Sequence, residues 1–272
     1  MDDGLDAFAE WERASWEARA PAYAASFGDM TRTGAGPLLD AAGVEGEVRV
    51  LDVGTGPGFV ALAAAARGAV VTAADQSTAM VALARAAGVD ALVAGVEDLP
   101  FTDASFDAVV AGFLLNHLAR PEVAVASLAR VLAPLGRLAL SVWDAPAANP
   151  ALGLFGPLAA ELGVAVGQVP TGPDAGRFAS DDAFRTLLSG AGLDDVRVDR
   201  AAWSVVVDPG AWFDAVAAAT PRTGAVLAGA SAADRARLRE RYVEVAQASY
   251  GRPDGRVELP AGAVVGSGRR PG

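Results

Sequence analysis

The chain has no cysteine, no lysine and one histidine, His117. Without cysteine there is no disulfide framework, thiol nucleophile or thiolate metal site. A lone histidine excludes a multi-histidine metal centre, so no metal is expected. All 22 basic residues are arginine, against 33 acids, for a net charge of −11. Nucleic acid is therefore a poor partner, because phosphate contacts need a basic face. No run of about 18 uncharged apolar residues occurs, so no membrane span is expected. The first residues are acidic (Asp2, Asp3, Asp6) and lack the basic and apolar regions of a secretory leader, which points to the cytoplasm. Oligomeric state is left undetermined. What the chain has in quantity is apolar residues, 52% of its 272 positions, which is enough for one large α/β domain with a buried core.

The stretch Val50–Gly58, VLDVGTGPG, organises the rest. Val50, Leu51, Asp52 and Val53 read as the end of a buried strand. Gly54, Thr55, Gly56 and Gly58 make a glycine turn, and Phe59–Ala66 reads as the helix that follows. Strand, glycine turn and helix are the nucleotide-side geometry of a doubly wound sheet. The glycines run G-x-G-x-G, and Phe59 stands where a dinucleotide fingerprint requires glycine, which disfavours a nicotinamide-dependent reductase. A second acid, Asp75, follows Gly56 by 19 residues and ends the next strand, VVTAAD, with Gln76 beside it. That is the distance expected of a carboxylate that takes ribose hydroxyls.

Along the chain, residues 1–44 read as an N-terminal helical lid. Phe8, Trp11 and Trp16 share a helical face, and Pro21 breaks or restarts the helix. Residues 45–143 alternate strand and helix, with strands over 69–74, 90–94, 106–112 and 135–143. Ser77 caps one helix and Pro121 opens another. This rhythm implies a mostly parallel sheet with right-handed crossovers. Residues 144–230 begin with dense proline and glycine and read as a cap over the substrate region. Within them lie a capped helix from Ser180, strand material at 193–200 and 203–207, and a helix over 208–219. Residues 231–272 read as a helix that starts with a Ser231–Asp234 capping box, a last strand over 257–265, and a frayed tail from Gly266. The expectation is a single domain over 1–272: an α/β, doubly wound, mostly parallel seven-stranded sheet with a substrate-covering cap.

The two acids, the glycine turn and the block Glu97–Leu118, EDLPFTDASFDAVVAGFLLNHL, resemble class I S-adenosylmethionine-dependent methyltransferases of the ubiquinone/menaquinone-biosynthesis type. The resemblance is good over residues 27–143 and looser elsewhere. It implies a Rossmann-like fold and S-adenosylmethionine as cofactor. It implies cofactor contacts from Asp52, Gly54, Thr55, Gly56, Gly58, Asp75, Gln76, Val96, Glu97, Gly112 and Phe113. Such families commonly carry an aspartate that binds the adenine amino group where this chain has Gly95. The backbone of Val96 and the side chains of Glu97 or Asp98 are the replacements, or adenine is held by backbone and apolar contacts.

The reaction implied is transfer of a methyl group to an O, N or C nucleophile of a small-molecule acceptor, of the kind met in secondary metabolism, mainly by positioning. The alternative is a cofactor-binding enzyme of the same fold that catalyses a cyclisation without methyl transfer. His117, near the expected cofactor mouth, is the candidate general base; the competing reading is a histidine packed in its loop and bonded to backbone. Tyr23, Phe27 and Thr31 are lid candidates near the methionine part. Trp143 is either placed to stack an acceptor or a core tryptophan, and Arg222 either pairs with an acceptor carboxylate or phenolate or is a solvated loop arginine. Phe155, Phe178 and Phe184 either line a large apolar pocket or belong to the core.

Overall fold

The computed structural model describes residues 2–272, with side chains from Gly4 onward; Met1 and the side chains of Asp2 and Asp3 lie outside the described residues. Seven strands form one sheet: β1 (Arg49–Val53), β2 (Val70–Asp75), β3 (Ala91–Val93), β4 (Phe106–Gly112), β5 (Leu132–Trp143), β6 (Asp194–Val207) and β7 (Val257–Arg269). Their order is β3-β2-β1-β4-β5-β7-β6. The first five pair in parallel, while β7 runs antiparallel to both β5 and β6. The strand order reverses between β1 and β4, and ligands of open α/β sheets bind at the carboxyl ends of such a switch point.

Among the described residues, twelve α-helices accompany the sheet: α1 (Asp2–Ala22), α2 (Gly28–Thr33), α3 (Ala35–Ala41), α4 (Phe59–Ala66), α5 (Thr78–Ala86), α6 (Pro121–Val131), α7 (Pro150–Gly153), α8 (Phe155–Glu161), α9 (Asp181–Gly190), α10 (Pro209–Ala219), α11 (Pro221–Ala228) and α12 (Ala232–Tyr250). Alternation along the strands divides the core. Leu51, Val53, Val109, Leu138 and Leu140 face α6 and α9. Val50, Ala108, Val110 and Ala139 face α3 and α4. Both faces are covered, so the central strands are apolar on both sides. A separate cluster joins α8, α10 and α12 around Phe155, Phe213 and Tyr242 and builds the cap.

Several local expectations change. Pro21 does not break α1; it lies in its last turn, and the chain continues as a π-helical turn over Tyr23–Phe27. Proline lacks an amide hydrogen, so the normal bond to the preceding turn is already missing there and the wider turn follows at little cost. Ser180 precedes α9 but its side chain makes no capping bond. The strand material at 193–200 and 203–207 is one continuous strand, because residues 197–207 pair with β7 without a break, after an irregularity between Asp194 and Arg197. The strand expected over 135–143 starts earlier, at Leu132, directly after α6.

The frayed tail is the largest correction. β7 continues through Gly266, Ser267 and Gly268 to Arg269, buried between β5 and β6. Glycines are required there by neighbours: a Cβ on Gly266 would stand 2.6 Å from the Phe184 ring, and one on Gly268 2.9 Å from Leu193. Glycine therefore marks close packing here and not fraying. Overpacking Gly266 with alanine should destabilise the fold by about 2 kcal/mol in a denaturant titration. An unchanged midpoint would return this segment to a loose tail.

Candidate functional site

The turn after β1 is held by Asp52. Its Oδ2 accepts bonds from Thr55 Oγ1 at 2.6 Å and from the Ala61 amide at 3.0 Å, tying the turn to α4. Its Oδ1 is buried without a partner, and burial pushes the carboxyl up to about 7. Gly54 and Gly56 both adopt left-handed backbone, with φ of 68° and 53°. A Cβ on Gly54 would also lie 2.8 Å from Leu114, so only glycine leaves the turn open. Gly58 starts α4 from the same conformation.

Asp75 ends β2 beside this turn. Its Oδ2 accepts from the Gly56 amide and its Oδ1 from the Ser77 amide, each at 2.9 Å. Burial raises its carboxyl above the ordinary range. Ser77 caps α5 as expected, accepting from the Met80 amide, and its hydroxyl donates to Glu17 of α1 at 2.6 Å. Glu17 also accepts from the Ala79 amide at 3.2 Å. The Ser77 hydroxyl bond is the main cause that lowers the Glu17 carboxyl. A carboxylate at a helix N-terminus is favourable, and here it pins α1 across the mouth of the crevice.

A cavity of about 110 Å³ lies in front of Asp75. Gly54, Gly56, Asp75 and Gln76 form one wall, and Val96, Gly112 and Phe113 another. Tyr23, Phe27 and Thr31 close it together with Trp16. The Tyr23 hydroxyl and Thr31 Oγ1 share a 2.8 Å hydrogen bond, and burial pushes the phenol up to about 12. Phe113 holds φ of 56°, a strained value for a non-glycine residue. Its amide donates to the Ser141 carbonyl at 2.9 Å, and its ring stacks on Trp143 at 4.2 Å.

Not every sequence candidate lines the cavity. Asp52, Thr55 and Gly58 shape the turn from behind it. Glu97 is exposed, as is Asp98, and Gly95 faces open space. The walls near Gly95 are Ala94 and Val96, leaving the apolar arrangement for a purine face.

A second cavity, of about 310 Å³, opens beyond the first. Trp16, Phe27, His117 and Trp143 line both. The far side carries Asn116, Asp144, Asn149, Thr220, Arg222 and Thr223. Arg222 and Thr223 lie in α11, not in a loop. Phe155, Phe178 and Phe184 line neither cavity; they are core residues.

Among the described residues, the His117 ring is bonded neither to its own loop nor to backbone. Nδ1 lies 3.0 Å from Oε2 of Glu12, and the ring meets Trp16 edge-on at 4.9 Å. Glu12 comes from α1 and its side chain is 1% exposed. Its other oxygen lies 3.6 Å from Arg222 Nη2. Glu12 and Glu17 are the residues that sequence reasoning missed. Their signal was two acids five apart among the aromatics of α1, which looks like ordinary surface patterning until the tertiary partners are known.

A family model described as a methyltransferase domain matches residues 51–140. The chain is 42% identical over 108 residues to a demethylmenaquinone methyltransferase of Clavibacter sepedonicus, covering 38% of this chain and 44% of that protein. It is 36% identical over 160 residues to a ubiquinone biosynthesis O-methyltransferase of Xanthomonas oryzae, covering 56% and 65%. The chain thus spans about half to two-thirds of the length of these curated relatives. Among solved structures, the YcgJ protein of Bacillus subtilis superposes with a TM-score of 0.57 at 20% identity, covering 88% of this chain and 98% of that one.

Proposed function

We propose that this chain, whose residues 51–140 match a methyltransferase domain, uses S-adenosylmethionine to methylate a hydroxyl oxygen on a flat, aromatic small molecule. One observation carries the proposal: the two cavities meet at a collar of Trp16, Phe27, His117 and Trp143. Three of these are aromatic, which suits a planar acceptor, and the fourth can take a proton.

The residues of the first cavity fit the cofactor. Asp75 would take the ribose hydroxyls, Ala94, Val96 and Met80 the purine face, and Gly54, Gly56 and Gly112 a close backbone approach. Bound there, S-adenosylmethionine supplies a methyl group already activated by its sulfonium. The rest is positioning: the collar orients the acceptor against the methyl group, an effect worth up to about 7–11 kcal/mol. The Xanthomonas oryzae relative, a ubiquinone biosynthesis O-methyltransferase, supports an oxygen acceptor.

The test is transfer from methyl-labelled S-adenosylmethionine to a panel of catechols, reduced naphthoquinones and aliphatic amines. The expected product is an aromatic methyl ether, one CH₂ heavier than the acceptor. Labelling of amines alone, or of ring carbon alone, would reject the proposed acceptor atom.

A further inference from the structure

Three segments far apart in sequence converge beside the collar: Glu12 from α1, His117 from the turn after β4, and Arg222 from α11. We propose that Glu12 is a positioning residue that holds the His117 ring with its proton on Nδ1 and so presents a bare Nε2 to the acceptor cavity. The proposal rests on the hydroxyl-methylating function above.

The geometry leaves little freedom. An ionised carboxylate accepts hydrogen bonds and cannot donate them, so a neutral His117 facing Glu12 Oε2 at 3.0 Å must carry its hydrogen on Nδ1. Its lone pair is then on Nε2, which has no hydrogen-bond partner among the described residues. The ring lines both cavities, whereas Glu12 lines neither. Trp16 packs edge-on against the ring and limits its rotation. A buried carboxylate is costly unless paired, and Arg222 supplies the second charge at 3.6 Å. Arg222 is itself placed by the Phe8 ring, 5.4 Å from its guanidinium carbon, and by the Asn116 carbonyl, which accepts from Nη2 at 3.4 Å.

The step balances. The acceptor hydroxyl gives its proton to Nε2 while its oxygen forms the bond to the methyl carbon. The carbon–sulfur bond breaks with its electron pair kept by sulfur, so the sulfonium charge reappears on the imidazolium, beside Glu12. Without Glu12 the ring is free to adopt the form with hydrogen on Nε2, which is the commoner form of imidazole in water and cannot accept a proton at the collar.

The single histidine makes the test direct, since nitrogen-15 labelling of histidine gives the ring spectrum of His117 alone. In the wild-type protein with the ring neutral, Nδ1 should appear as the N–H nitrogen and Nε2 as the lone-pair nitrogen. Glu12→Gln keeps an accepting oxygen and should keep that form. Glu12→Met keeps the bulk, removes the acceptor, and should move the hydrogen to Nε2. A wild-type ring protonated on Nε2, or an unchanged form in Glu12→Met, overturns the proposal, and the wild-type spectrum decides even if Glu12→Met fails to fold. On an aromatic acceptor that the wild type methylates, Glu12→Met should lower kcat about tenfold or more with cofactor KM unchanged. Glu12→Gln should recover part of that loss, and adding Glu12→Met to His117→Ala should cost nothing further. An equal kcat in wild type and Glu12→Met overturns the positioning role. If the ring form is as expected but no aromatic acceptor is methylated, the hydroxyl-methylating reading fails and the Glu12–His117 arrangement stands.

Discussion

Denaturant titrations between pH 4 and pH 7 should show Asp52→Asn gaining about 4 kcal/mol on the wild type as pH rises. The cause is a carboxyl buried behind the glycine turn, with one oxygen bonded to Thr55 and Ala61 and the other unpaired. Burial raises it to about 7 in the folded state, against about 3.9 in an unfolded chain. Between those values the folded state holds a proton that the unfolded state has released. Stability from this group is therefore complete below pH 4 and falls as pH rises toward 7, where the shift of about three units corresponds to about 4 kcal/mol. Asparagine can still accept from Thr55 and Ala61 but does not titrate. It adds a constant offset and no slope. The quantity to read is the difference between the two stability curves, since Asp75 and the paired surface acids contribute to both. Parallel curves would mean that water reaches Oδ1 and the group ionises normally.

The second large effect is on the cofactor. Asp75→Ala should weaken binding of S-adenosylmethionine and of its demethylated product about 10- to 150-fold by calorimetry, the range of a charge-assisted hydrogen bond of about 1.5–3 kcal/mol. Each Asp75 oxygen already accepts one backbone amide, from Gly56 or Ser77, and keeps lone-pair capacity toward the cavity it lines. Those two bonds aim the carboxylate before a ligand arrives. Asp75→Asn should fall between wild type and alanine, since one acceptor becomes a donor. Burial raises the Asp75 carboxyl, so binding should also strengthen with rising pH as the group ionises. Wild-type affinity in Asp75→Ala would remove the ribose from this carboxylate.

The central sheet was readable because its signals are local. Val50–Val53, the glycine turn and the spacing to Asp75 carry their own geometry, and the apolar run through Phe106–Gly112 announces a strand buried on both faces. The same holds for the Ser77 and Ser231 caps, whose bonding partners are three residues away. What escaped was set by distant partners. Gly266 and Gly268 look like tail residues until Phe184 and Leu193 pack on them. Glu97, carried over by resemblance, is exposed because Val96 turns inward in its place. Glu12 could not be found from its neighbours at all, since its partners lie 105 and 210 positions away along the chain.

The placement of β7 has a consequence for how the chain comes together during synthesis. β6 touches the sheet only through β7, which lies between it and β5. While residues 194–207 leave the ribosome, their future partner has not been made, and the amides and carbonyls of a 14-residue strand have nothing to pair with. The five parallel strands can assemble first, since each finds its neighbour among residues already made. The antiparallel third of the sheet forms only when residues 257–269 thread between two waiting edges. Until then β6 is an open edge of the kind that recruits other chains. Five of its first seven residues are charged, Asp194, Asp195, Arg197, Asp199 and Arg200, which keeps that edge in solution while it waits.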